Sequence, residues 1–107
     1  MKAIYWQKGE SLDYLNGTET DIPANTVVIF GDHIGVAGTD IPAGENGTIH
    51  VTGVFEIHKK TGVALEMGDP VTFTEENGID KATSGAVGYA IEDAAAAATT
   101  VRVKLLG

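Results

Sequence analysis

The sequence predicts an all-β fold: a compact small barrel or sandwich of eight to ten short strands with tight turns, and at most one short helical turn near 93–98. Three observations predict it. The pentapeptide Thr-Asp-Ile-Pro-Ala occurs twice unchanged, at 20–24 and 39–43, each time on the approach to a β-branched run. Each copy joins an Ile that can be buried to a Pro that fixes φ and removes an amide donor, followed by Asn25 or Gly44 to turn the chain. Apolar residues elsewhere alternate over short stretches separated by turn signals such as Asn16-Gly17, Gly31-Asp32 and Asn77-Gly78. Finally, the three prolines all fall at predicted turns or strand starts, 14 glycines support many tight corners, and no segment of useful length carries a helical period.

The elements follow in order. Ala3, Tyr5 and Gln7 alternate with Ile4 and Trp6, which predicts a short first strand. Ser11–Leu15 alternates more clearly, with Leu12 and Tyr14 on one face. Val27–Phe30 is a continuous apolar run and reads as a strand buried on both faces. Ile34–Gly38 follows it closely, so Asp32-His33 reads as a hairpin tip. Thr48–Ile57 is the longest β signal, with Ile49, Val51, Gly53, Phe55 and Ile57 on the core face. Gly53 in mid-strand predicts a bulge or the close approach of another backbone. Lys59–Gly62 reads as an exposed turn leading to Val63–Leu65. Val71–Thr74, Ile79–Ala82, Val87–Ile91 and Thr100–Leu105 complete the set. The last buries Val101, Val103 and Leu105, and its opposite face carries Arg102 and Lys104, which either pair between subunits or guard an edge. Ala94–Ala98 favours helix but is too short to be helical alone, so it reads as one helical turn or a loop.

At 107 residues the chain is one β-rich domain, 1–107, long enough to bury a core without staples. Cysteine is absent, which removes disulfides and thiolate chemistry. The formal net charge of −8 disfavours nucleic-acid and anionic-membrane partners, which call for clustered basic residues. Lys59-Lys60 is the only basic pair. No apolar run is long enough to span a bilayer, and Met1–Gln7 lacks the hydrophobic segment of a signal peptide.

Candidate chemistry is sparse. There is no phosphate-binding Gly-rich loop and no Gly-x-Ser-x-Gly around Ser11 or Ser84. His50 and His58 share one face but lie too far apart along the strand to meet, and His33 is expected at a turn, so the three read as ordinary exposed imidazoles rather than metal ligands. Glu75-Glu76 and Glu92-Asp93 are adjacent carboxylates, and spacing alone does not set them across a cleft. No catalytic residue, cofactor or metal is expected. Tyr5, Trp6 and Tyr14 are the remaining candidates, either capping the core or contacting a partner, with 1–8 as a contact arm.

The motifs also carry a resemblance. Gly9–Tyr14, the two Ile-Pro-Ala turns, Thr48–Ile57, Met67-Gly68-Asp69-Pro70-Val71, Gly88-Tyr89-Ala90 and Thr99–Leu105 lie in the order seen in a family of small proteins. The chain resembles the phage and prophage capsid cement, or head-decoration, proteins over nearly its whole length. That resemblance implies a non-enzymatic, β-rich subunit made in the bacterial cytoplasm and bound to the outer surface of an assembled capsid. It implies the major capsid protein as partner, and a homo-oligomer with a trimer favoured. A carbohydrate- or host-surface-binding β module displayed on the virion is the alternative, and a small hydrolase built on Glu75 or Glu92 is a third reading.

Overall fold

A computed structural model describes residues 1–107 and contains nine strands and no helix. They are β1 (Ser11–Leu15), β2 (Val27–Phe30), β3 (His33–Ala37), β4 (Asn46–His50), β5 (Thr52–His58), β6 (Pro70–Thr74), β7 (Gly78–Lys81), β8 (Gly88–Ala90) and β9 (Thr100–Leu106). They form two antiparallel sheets, ordered β1-β4-β3-β2 and β5-β9-β8-β6-β7. The expected all-β class is what the chain adopts.

The two sheets are versions of one unit. Leu15 pairs with Asn46 as His58 pairs with Thr100. Val27 pairs with Val36 as Pro70 pairs with Tyr89, and Val36 meets His50 as Tyr89 meets Lys104. Thus β1, β2, β3 and β4 correspond to β5, β6, β8 and β9, and β7 has no counterpart. The correspondence extends to sequence: Ile34-Gly35-Val36-Ala37 with Asp40 matches Val87-Gly88-Tyr89-Ala90 with Asp93. The shared Gly has a physical cause. A Cβ on Gly35 would lie 3.1 Å from the His50 carbonyl oxygen, and one on Gly88 would collide with that of Lys104, the equivalent residue.

The twin pentapeptides pair with each other. Ile22 and Ile41 exchange backbone hydrogen bonds of 2.9 and 2.8 Å. Asp40 Oδ1 accepts the Ala24 N–H at 2.8 Å, and Asp21 Oδ1 accepts that of Ala43 at 2.9 Å. Each copy then closes a turn, Thr26 N–H to Pro23 C=O and Glu45 N–H to Pro42 C=O. Asn25 (φ +70) and Gly44 (φ +78) supply the positive φ at the third turn position. The second unit repeats this in disguise: Leu65 and Ala94 exchange bonds of 2.9 and 2.8 Å, and Asp93 Oδ1 accepts the Met67 N–H at 2.8 Å. Ala94–Ala98 is therefore neither helical nor free; it bridges Leu65 and turns by an Ala98 N–H to Ala95 C=O bond.

Two apolar clusters fill the units. One holds Val28, Ala37, Ile41, Ile49 and Val51, with Leu12, Tyr14, Ile22 and Phe30 at its margin. The other holds their counterparts Val71, Ala90, Ala94, Val103 and Leu105, together with Ile57, Leu65, Ile79 and Val101. One volume exchange is visible between them. Gly47, where Val101 stands in the second unit, leaves room for Ile41, because a Cβ there would strike the Ile41 side chain; in the second unit Val101 shares its cluster with Ala94, the smaller counterpart of Ile41. Ile34 and Val36 on the opposite face of β3 join the second cluster, so β3 is the seam between the units.

Several expectations are corrected. Residues 1–8 form no strand, and Val63–Leu65 makes only the Leu65 bridge. β2 is an edge strand with Ile29 44% exposed; β3, covered on both faces, takes the doubly buried role. The hairpin tip is Gly31-Asp32, and His33 already belongs to β3. The run 48–57 keeps its predicted core face but breaks at Val51, whose N–H bonds the Glu10 carbonyl at 3.0 Å as the chain passes between sheets. Gly53 (φ +124) sits in an uninterrupted register with no bulge, and only the Phe55 ring lies near it. β9 is central rather than an edge, so Arg102 and Lys104 guard nothing; Arg102 lies 3.9 Å from Glu56 and 4.0 Å from Glu92.

Lys59 is the largest correction. It is fully buried, and its Nζ donates to the carbonyls of Lys60 (2.7 Å), Val63 and Ala96 (3.4 Å). Its counterpart in the first unit is Asn16, also fully buried, whose Nδ2 donates to the carbonyls of Thr20 (2.8 Å) and Ile41 (2.9 Å). Each is the internal clamp of its paired turns, and each avoids an orphaned polar group by bonding backbone. Lys60 alone is exposed, 3.8 Å from Asp80.

Candidate interaction surface

The polar residues that could do chemistry are dispersed or already occupied. His33 stacks on Phe30 at 5.7 Å between ring centroids, and His50 and His58 lie exposed on β4 and β5. No three His, Asp or Glu side chains converge in a metal-binding group. Glu92 accepts the Arg102 N–H at 3.2 Å and Asp93 holds the Met67 N–H, so that pair is used by the fold. Glu75 and Glu76 sit in the turn between β6 and β7. Ser84 lies in an exposed bend and Ser11 opens β1, opposite His50.

The surface itself is more informative. Residues 1–8 carry no regular structure and are all exposed, including Ile4 (87%), Tyr5 (82%) and Trp6 (87%). Tyr14, by contrast, packs against the first apolar cluster from β1. The three aromatics singled out from sequence therefore separate: Tyr14 lies with the core and Tyr5 and Trp6 with solvent. Leaving an indole and a phenol uncovered forgoes a large apolar burial.

Charge divides in the same way. Residues 1–8 contain Lys2 and Lys8 and no acid, whereas all 15 acidic residues lie in 9–107 with only five Lys or Arg. A cleft of about 360 Å³ opens beside β2, lined by Tyr14, Ile22, Val28 and Ile29 with Asp21 and Glu75 at its rim. A neighbouring cleft of about 450 Å³ runs along the seam between Val27, Val36, Phe55 and Phe73, with Glu56 and Glu75 at its mouth. Sequence reasoning missed both clefts because their walls come from strands distant in the chain.

The molecule measures 39 × 39 × 19 Å and carries an exposed aromatic arm. Comparison with known families gives these surfaces a context, because the model of the phage cement proteins matches residues 6–105. The chain belongs to the phage cement protein family. No curated protein and no solved structure matches it. The resemblance read from its motifs is thereby the family it belongs to, and its role is structural, at the capsid of a phage virion.

Proposed function

We propose that the protein is a capsid decoration subunit that binds the outer surface of the assembled phage head and stabilises it without catalysing a reaction. Membership of the cement family over 6–105 carries this reading. A thin body can lie on a shell without reaching far from it, and a repeated lattice multiplies modest contacts into firm attachment. Binding only the assembled head stabilises that state by mass action. The major capsid protein is the partner, and the protein self-associates on the shell. Tyr5 and Trp6 are its contact residues; Tyr14 supports the body from which the arm departs.

Heads lacking the protein provide the test. Adding purified protein should give saturable co-sedimentation at a fixed ratio to the major shell protein, and should raise the temperature at which heads release DNA. Heads that bind it and gain no resistance would remove the stabilising role. Absence of binding would remove the decoration role and direct attention to glycans. The carbohydrate alternative is less favoured because sugar platforms require held aromatic faces, and Tyr5 and Trp6 sit on a segment without secondary structure.

A further inference from the structure

The correspondence between the units exposes a missing strand. In the second unit β7 lies on the outer edge of β6, with Phe73 opposite Ile79 and Val71 opposite Lys81. The Pro70 carbonyl accepts the Ala82 N–H at 2.9 Å, and the far side of β7 closes on β5 through a parallel Lys59–Ile79 bridge and a Lys60 N–H to Ile79 C=O bond of 2.9 Å. In the first unit the equivalents of Pro70 and Lys60 are Val27 and Gly17. No strand lies beyond β2, and the Gly17 N–H has no partner in the chain. Between them, where β7 would run, lies the 360 Å³ cleft floored by Val28, Tyr14 and Ile22. The second unit fills that place with Ile79, fully buried.

We propose that this slot receives the N-terminal arm of a second copy, added as a strand antiparallel to β2. Backbone pairing gives such an addition its affinity, and alternate side chains entering pockets give it specificity. The alternation of the arm fits: Ile4 takes the place of Ile79 opposite Phe30, Trp6 that of Lys81 opposite Val28, and Tyr5 lies outward beside Ile29. Charge fits as well, since Lys2 and Lys8 flank the paired residues and Asp21 and Glu75 line the slot with no Lys or Arg among them. The arm of the same chain does not fit in this direction. The slot runs parallel to β1, as β7 does to β5, and a parallel neighbour requires a crossover of about a dozen residues, whereas only Gln7–Glu10 separate Trp6 from β1.

The inference concerns self-association and stands apart from head binding. Trp6 is the only tryptophan and there is no cysteine, so both reporters are clean. On raising the concentration of the intact protein, sedimentation should show assembly, and the tryptophan emission should move to the blue with it. The variant Trp6→Asp should stay folded and monomeric. Mixing Tyr5→Cys protein with Ile29→Cys protein under mild oxidation should give on the order of tenfold more covalent dimer than either alone, as expected when pairing raises the effective concentration of the two thiols. A wild-type monomer with water-like emission at every concentration would overturn the proposal. So would a Tyr5→Cys, Ile29→Cys double variant that closes its disulfide inside one chain. A monomer that still saturates heads would remove this inference alone, and an arm-exchanged oligomer that ignores heads would remove the decoration role alone.

Discussion

The two units solve one topology with different means. The second is closed: β7 completes its edge, Ile79 fills its core, and a buried lysine clamps its turns. The first is open: four strands, a vacant edge, an asparagine clamp, and two reciprocal aspartate bonds between identical pentapeptides. Where the second unit relies on an added strand, the first relies on symmetrical turn chemistry and leaves backbone groups available. Closure is thus separable from the turn frame, and the open unit is the side of the molecule suited to a partner strand.

Substitutions can break this correspondence in graded ways. The largest effect is expected at the shared glycine. Gly88→Ala drives a Cβ into the Lys104 carbonyl and should cost about 3 kcal/mol or more, whereas Gly35→Ala, with 3.0 Å or more to its nearest atoms, should cost roughly 1–2 kcal/mol. Urea melts of the two variants measure the difference, and equal losses would mean the two strand crossings are equally tight. Next come the clamps. Lys59→Met removes the donor to the Lys60 and Val63 carbonyls, while Ala96 keeps the Gly62 N–H, and should cost roughly 2–4 kcal/mol, with Asn16→Ala near 2 kcal/mol. A Lys59→Met protein as stable as the wild type would show that water replaces the ammonium.

The aspartates should matter less, because they are exposed. Asp21→Ala and Asp40→Ala are each expected to cost about 0.5–1 kcal/mol, and Asp93→Ala a similar amount. The first two sit in one paired motif, so a double-mutant cycle should show coupling that neither shows with Asp93, which lies in the other unit. The smallest effects belong to the turn positions with positive φ. Exchanging Asn25→Gly or Gly44→Asn should move stability by only a few tenths of a kcal/mol, since both residues tolerate that conformation. Gly44→Ala should cost about 1 kcal/mol in the same urea melts. A large loss from Asn25→Gly would reveal a side-chain role that its hydrogen bonds do not contain.

Much of the fold was readable in the chain, for identifiable reasons. Alternation at 11–15, 71–74 and 100–105 translates directly into strands because one face is buried and the period is two. The pentapeptides marked turns correctly, since Pro and a residue with positive φ act locally. Alternation misled at 3–7, where no neighbouring strand in the chain is present to pair with it. The continuous apolar run Val27–Phe30 misled as well, because its apolar character reflects one buried face, half-buried margins and an open edge. The relation between the units had a signal that went unused: the Gly, Ala and Asp of 35, 37 and 40 recur at 88, 90 and 93. Of the three aromatics considered for contact, nothing in their spacing separates Tyr14, which packs on the core, from Tyr5 and Trp6.

By itself the sequence determined the β class, the turn positions, the absence of sulfur chemistry, the acidic body with its basic arm, and the family resemblance that the match over 6–105 establishes. These are local or compositional properties, carried by residues wherever they end up in space. Tertiary structure alone decided that Lys59 is buried, that the alanine run bridges Leu65, that β9 is central, and that an edge beside β2 stands open. Each of those depends on which distant strands become neighbours, and that is set by the free energy of packing the whole chain rather than by any single segment.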